Sequence, residues 1–187
     1  MTNIMEHVKF LSSEPRFTGY PGFFKAAEYI ASKFREYGLQ PYGENGTYFE
    51  YFNVTVPFDH GSSIALENGK VIKAYMLYPN YVNPCPYKSP EDGDTLIYLG
   101  KGEFEDFEGL DVKGKFVLMD FASRWNFYQA IAGGAKGVIF VPEDPEMVTR
   151  LEAEQKEVLI PILFPRLYVK LEEGGEELVR LAKGGGA

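Results

Sequence analysis

The stretch from Asp111 to Val141, DVKGKFVLMDFASRWNFYQAIAGGAKGVIFV, constrains this chain more than any other. Phe116–Met119 is a short unbroken apolar run entered through Lys113-Gly114-Lys115. Val138–Val141 is a second, entered through Gly134-Ala135-Lys136-Gly137. Apolar runs bounded by glycine suit strands covered on both faces. Between them Phe127, Ala130, Ile131 and Gly134 recur at three- and four-residue spacing, with Ser123 as a candidate N-cap. This predicts a short helix with one apolar stripe. A strand, a helix and a strand of this combined length form the crossover that joins parallel strands. Gly134 is placed to cap the helix, and Gly137 to let the second strand pass close to its neighbour.

The order Asp111-Val112-Lys113-Gly114-Lys115, an apolar run, Ala130, then Gly134-Ala135-Lys136-Gly137-Val138-Ile139 resembles the protease-associated domain. That domain is a non-catalytic module inserted into or appended to several peptidase families. The resemblance implies an α/β fold of the swivelling β/β/α type.

The rest of the chain fits around this unit. With 187 residues it can bury roughly 70% of its unfolded surface. A net charge of −8 with no basic cluster argues against nucleic acid as a partner. No segment has the ~18 consecutive apolar residues of a membrane span, so no membrane partner is expected. The start, MTNIMEHVKF, shows neither a basic n-region nor an apolar h-region, and Cys85 is the single cysteine. Together these lead to the expectation of a cytoplasmic protein without disulfides. Cys85 stands between two prolines and reads as a free thiol, packed or exposed. Asn45-Gly46-Thr47 and Asn53-Val54-Thr55 match the glycosylation sequon and are read as chance.

Ile4, Val8 and Leu11 lie on one face of a short helix over Asn3–Ser12, with His7 beside them. Pro15–Gly22 holds prolines and glycines that argue against regular structure. A longer helix follows to about Tyr37, with Phe23, Ala27, Ile30, Phe34 and Tyr37 as a core-facing stripe and Gly38 at its end. Thr47–Val56 reads as a strand, and Asn68-Gly69 joins Ile64–Leu66 to Val71–Ala74 as a hairpin. Asn80–Asp94 reads as a loop and Thr95–Leu99 as a strand. Phe104 and Phe107 are expected to anchor the acidic segment after it. Asp144-Pro145 opens a helix to about Gln155. Ile160–Phe164 reads as a buried strand, and Glu176–Lys183 as a last helix.

The N-terminal piece carries a second resemblance. Leu11-Ser12, Pro15-Arg16, Thr18-Gly19, Pro21-Gly22, then Ala26-Ala27-Glu28-Tyr29-Ile30 and Gly38-Leu39, are similar to the opening of the di-zinc aminopeptidases. This family also contains glutamate carboxypeptidase and the transferrin receptor. Its members often place a protease-associated domain after an opening helix pair and strand, which is the order found here. The resemblance implies residues 1–57 as the N-terminal helical segment of a peptidase domain. It implies 58–187 as the protease-associated domain, ending at Gly184–Gly186 where a further strand should begin. The expected partners are the remaining peptidase core or a second copy of the chain, with a peptide as substrate. The chain then reads as part of a longer peptidase, half of a split gene or a decayed relative.

The family's chemistry uses two zinc ions held by histidines and carboxylates, with a glutamate as general base. Its strings are a His-x-Asp, a later Asp, a Glu-Glu pair and a final His. This sequence has only His7 and His60, neither in His-x-Asp. Glu172-Glu173 and Glu176-Glu177 read as carboxylates at a helix N-terminus. No catalytic or metal-binding residue is therefore carried over, and zinc is expected only in full-length relatives. Gly100-Lys101-Gly102-Glu103 is no phosphate loop, and Gly-x-Ser-x-Gly is absent. The candidate substrate-binding segment is Ser123, Arg124, Trp125 and Asn126, which follow a buried strand and precede a helix. Arg124 suits a peptide carboxylate and Trp125 a pocket wall. The rival expectation, from another class, is a free-standing peptide- or protein-binding module without peptidase activity.

Overall fold

The computed structural model describes residues 4–56, 60–77, 85–144, 156 and 162–184. The chain divides into two compact units, Met1–Val56 and Pro57–Ala187.

The first unit is a helix pair followed by irregular chain. Helix α1 spans Ile4–Leu11 and α2 spans Pro21–Glu36. Helix α2 begins two residues before the expected Phe23, because Pro21 occupies its first turn, where a missing N–H costs nothing. It ends as its sequence dictates. Gly38, at φ 76°, donates to the Arg35 carbonyl, and Leu39 donates to that of Phe34, closing a Schellman motif. His7 holds the pair together: Nδ1 lies 2.7 Å from the Tyr29 hydroxyl and Nε2 3.1 Å from that of Tyr37. Phe10 stacks on Tyr29 at 4.0 Å. The expected core stripe is not buried. Phe23, Ile30, Phe34 and Tyr37 are exposed, and only Gly22 and Ala31 of α2 are buried. Thr47–Val56 is not a strand either. β-branched and aromatic residues favour strands only against a partner, and no strand pairs with them among the described residues.

The second unit is built on a mixed six-stranded sheet, ordered β1-β2-β6-β5-β4-β3 among the described residues. Strands β1 (Ser62–Ala65) and β2 (Val71–Met76) form the expected antiparallel hairpin. Its turn runs through Glu67-Asn68-Gly69, with Gly69 at φ 83° and the Asn68 side chain accepting from the Lys70 amide. Strand β3 (Leu96–Tyr98) pairs in parallel with β4 (Phe116–Asp120), β4 with β5 (Gly137–Val141), and β5 with β6 (Arg166–Tyr168). The strand expected at Ile160–Phe164 thus lies further along, at Arg166–Tyr168; 160 and 161 lie outside the described residues, as does the helix expected over 145–155. Asn80–Asp94 is irregular from Cys85 onward, where it is described.

The crossover is as the sequence implied. Helix α3 spans Phe127–Ala132, with Phe127 and Ala130 wholly buried. Gly134, at φ 80°, and Ala135 cap it through the Ile131 and Ala130 carbonyls. The N-cap is Asn126, not Ser123, and no side chain caps the helix. Gly137 has the expected close approach: a Cβ there would stand 2.4 Å from the Phe116 ring and 2.9 Å from the Pro165 carbonyl.

Alternation along β4 and β5 divides the core between two faces. Val117, Met119, Val138 and Phe140 meet Phe121, Phe127 and Ala130 on the α3 side. Phe116, Leu118, Ile139 and Val141 meet Leu178 of helix α4 (Gly175–Lys183) on the other. Phe107 packs against the first cluster, while Phe104 is 79% exposed and anchors nothing. Cys85 is buried, with its sulfur accepting the Phe164 amide at 3.3 Å.

Candidate functional site

The four residues singled out from the sequence form one tight turn at the carboxyl end of β4. After Asp120 the chain makes a 3₁₀ turn over Phe121–Ser123 and then turns sharply before α3. The Asn126 amide donates to the Ser123 carbonyl at 2.9 Å. Arg124 has φ 48° and ψ −119°. These angles belong to the second position of a type II′ turn, where glycine is favoured because a Cβ is crowded there. Holding an arginine in such a conformation costs ~1–3 kcal/mol and requires surroundings that over-determine it.

Lys156 supplies such surroundings. It is 2% exposed, and its ammonium donates to Ser123 Oγ at 3.1 Å and to the Arg124 carbonyl at 2.9 Å. The same ammonium stands 4.6 Å from the Phe140 ring centre, 5.3 Å from that of Phe121 and 5.9 Å from that of Phe127. A buried cation needs acceptors for its protons, and ring faces add to its attraction. Arg166, also buried, donates from Nη1 to the Lys156 carbonyl at 2.6 Å. Ser123 is itself buried, so its contact with Lys156 is a strut beneath the turn, not a nucleophile presented with its base.

Asn126 is likewise structural: its Nδ2 donates to the Lys101 carbonyl at 3.0 Å. Arg124 and Trp125 remain available to a ligand. Trp125 is 47% exposed and leans on Tyr128 and Phe127, with ring centres 5.9 and 6.3 Å away. An exposed arginine and an exposed tryptophan, consecutive in the chain, thus follow the carboxyl end of β4, the end of parallel strands at which open α/β sheets form their ligand crevices. Asp120 at the end of β4 accepts a hydrogen bond from Tyr98 at 2.8 Å. Burial, and then this bond, push the Tyr98 phenol well above its usual range. Tyr98 is therefore a neutral donor at physiological pH.

The other chemistry-bearing residues do not assemble. Both ring nitrogens of His7 face tyrosine hydroxyls, and His60 is exposed ahead of β1. Glu173 accepts from Tyr75 at 2.8 Å and from Lys170 at 3.0 Å, and Glu177 pairs with Lys70. Among the described residues no three of His, Cys, Asp and Glu are placed to hold a metal ion. The donor set of these residues does not fit a zinc pair. Sequence reasoning missed Lys156 and Arg166, because a lysine within Glu154-Gln155-Lys156-Glu157 looks like part of a solvated face.

No protein-family model and no curated protein matches the sequence. Solved structures do match. The zinc aminopeptidase BSAP from Bacillus subtilis superposes with a TM-score of 0.61 at 22% identity, over 94% of this chain and 40% of that one. A second crystal structure of BSAP gives 0.58 at 23% identity, again over 94% and 40%. The aminopeptidase from Aneurinibacillus sp. strain AM-1 aligns over 96% and 40% at 21% identity with a TM-score of 0.43, too low to carry an argument. The chain therefore has an α/β fold shared with zinc aminopeptidases and spans 40% of the length of those it matches.

Proposed function

We propose that this chain is the non-catalytic N-terminal portion of a zinc-dependent aminopeptidase. In this reading residues 58–187 form a protease-associated domain that covers the active-site cleft and helps select peptide substrates. The observation that carries the proposal is the match of nearly the whole chain to a minor part of BSAP. The apolar stripe of α2 agrees with it, since Phe23, Ile30 and Phe34 are each partly open to solvent where the sequence pattern expects a covered face. A peptidase core is the partner that would cover that stripe. Arg124 and Trp125 then face the cleft, the guanidinium pairing with a peptide carboxylate and the indole lying against a side chain.

The test uses the chain as it stands. Zinc titration by calorimetry is expected to show no tight site, and aminoacyl-nitroanilides are expected to stay intact. Short peptides with a free carboxylate are expected to change Trp125 emission, and their amidated counterparts are not. Submicromolar zinc binding with turnover would overturn the non-catalytic reading. Equal responses to acid and amide would remove Arg124 from it.

A second reading is a free-standing peptide-binding module. The two buried clusters that the sheet unit forms from its own described residues favour it. It gains if the chain binds peptides while staying monomeric at every concentration.

A further inference from the structure

The conformation of Arg124 and the burial of Lys156 are two oddities that explain each other. A glycine at position 124 would make the turn unaided. The chain instead carries an arginine, whose carbonyl faces a lysine ammonium sealed among Phe121, Phe127 and Phe140. The ammonium also binds Ser123 Oγ, so it holds the first residue of the turn as well as the carbonyl of the second. Arg166 fixes the lysine's own carbonyl from β6. The grip therefore runs from the sheet, through Lys156, to the exposed pair.

We propose that Lys156 is a positioning residue, whose ammonium holds the Ser123–Asn126 turn in its glycine-type conformation and so presents Arg124 and Trp125 together as a preformed ligand contact. This rests on the reading of Arg124 and Trp125 as the ligand-facing pair. It adds the reason they can be preformed: the turn is built from beneath, before any ligand arrives, which lowers the ordering cost of binding. The buried lysine also lets an arginine replace the expected glycine, putting a cation where glycine would put none.

Trp125 is the only tryptophan, so its emission and its quenching by acrylamide report on this turn without a ligand. Lys156→Met keeps an unbranched apolar stem among the phenylalanines and removes the ammonium. The expected result is a shifted emission maximum and altered quenching with an unchanged far-ultraviolet dichroism spectrum. Adding Arg124→Gly to Lys156→Met is expected to return both signals to those of Arg124→Gly alone, because glycine needs no support at this position. Unchanged Trp125 signals in Lys156→Met would overturn the proposal, as would altered signals that Arg124→Gly fails to restore. If Lys156→Met does not fold, recovery of cooperative unfolding in the double variant supports the proposal and its absence overturns it. Since no ligand enters the measurement, a failure of peptides to bind would sink the site reading and leave this result standing.

Discussion

Arg124 shows how a single residue can work against the stability of its own fold. Replacing it by glycine removes a Cβ from a left-handed backbone but gives the unfolded chain more freedom. The strain is the larger of the two, so Arg124→Gly is expected to raise stability by about 1 kcal/mol while abolishing any preference for a free carboxylate. Urea unfolding and the acid–amide peptide comparison read the two effects separately. Asp94 shows the opposite balance. Burial pushes its carboxyl up, but hydrogen bonds from Lys136, Ser89 and Tyr87 outweigh it and hold the group below its ordinary value of 3.8. A depressed carboxylate contributes stability above its unfolded value, and that stability is lost as pH falls through the folded value. Urea midpoints measured from neutral pH into acid should therefore fall less steeply for Asp94→Asn than for the native chain. Sequence alone singles out Arg124 as a candidate contact but shows neither its strained backbone nor the role of Asp94. Asp94 looks like one more loop carboxylate, and only the crossover brings Lys136 to it.

Among the elements, β4, α3 and β5 could be read directly. Their apolar runs are continuous because both faces are covered, and Gly134 and Gly137 stand where a left-handed cap and a close contact demand them. Gly137→Ala should cost ~1–3 kcal/mol by forcing the Phe116 ring and the Pro165 carbonyl away from β5. An unchanged stability in Gly137→Ala would show that crowding between strands is not what requires glycine. Reading failed where an element depends on a partner. Thr47–Val56 has strand composition without a neighbouring strand. Arg166–Tyr168 is short and opens on a charge, so it does not look like a buried strand. It becomes one because it lies between β5 and β2, with its arginine drawn inward to Lys156.

At the scale of the molecule, the sheet unit buries two clusters of its own, whereas most large apolar side chains of the helix pair are exposed. The proposed docking of that surface onto a peptidase core leads to an expectation for the isolated chain. Without the core, the stripe should drive self-association at high concentration. Sedimentation equilibrium should then show a mass rising above 21.1 kDa, with Ile30→Glu and Phe34→Glu returning it to the monomer value. A mass that stays constant as concentration rises would show that the stripe is not an interface. Strand β3, an edge of the described sheet only three residues long, offers little to a pairing chain. The sequence by itself determined whatever depends on neighbours within a few residues: the crossover, the Asn68-Gly69 hairpin, both glycine caps, and the position of the turn at Ser123–Asn126. Apolar periodicity and the conformational freedom of glycine act at that range, so they are written locally. Only the tertiary structure decided that the α2 stripe lies bare, that β6 begins at Arg166, and that Lys156 lies beneath Arg124. Those outcomes depend on which distant surfaces meet, and a cation is buried only where aromatic rings and carbonyls from several elements converge on it.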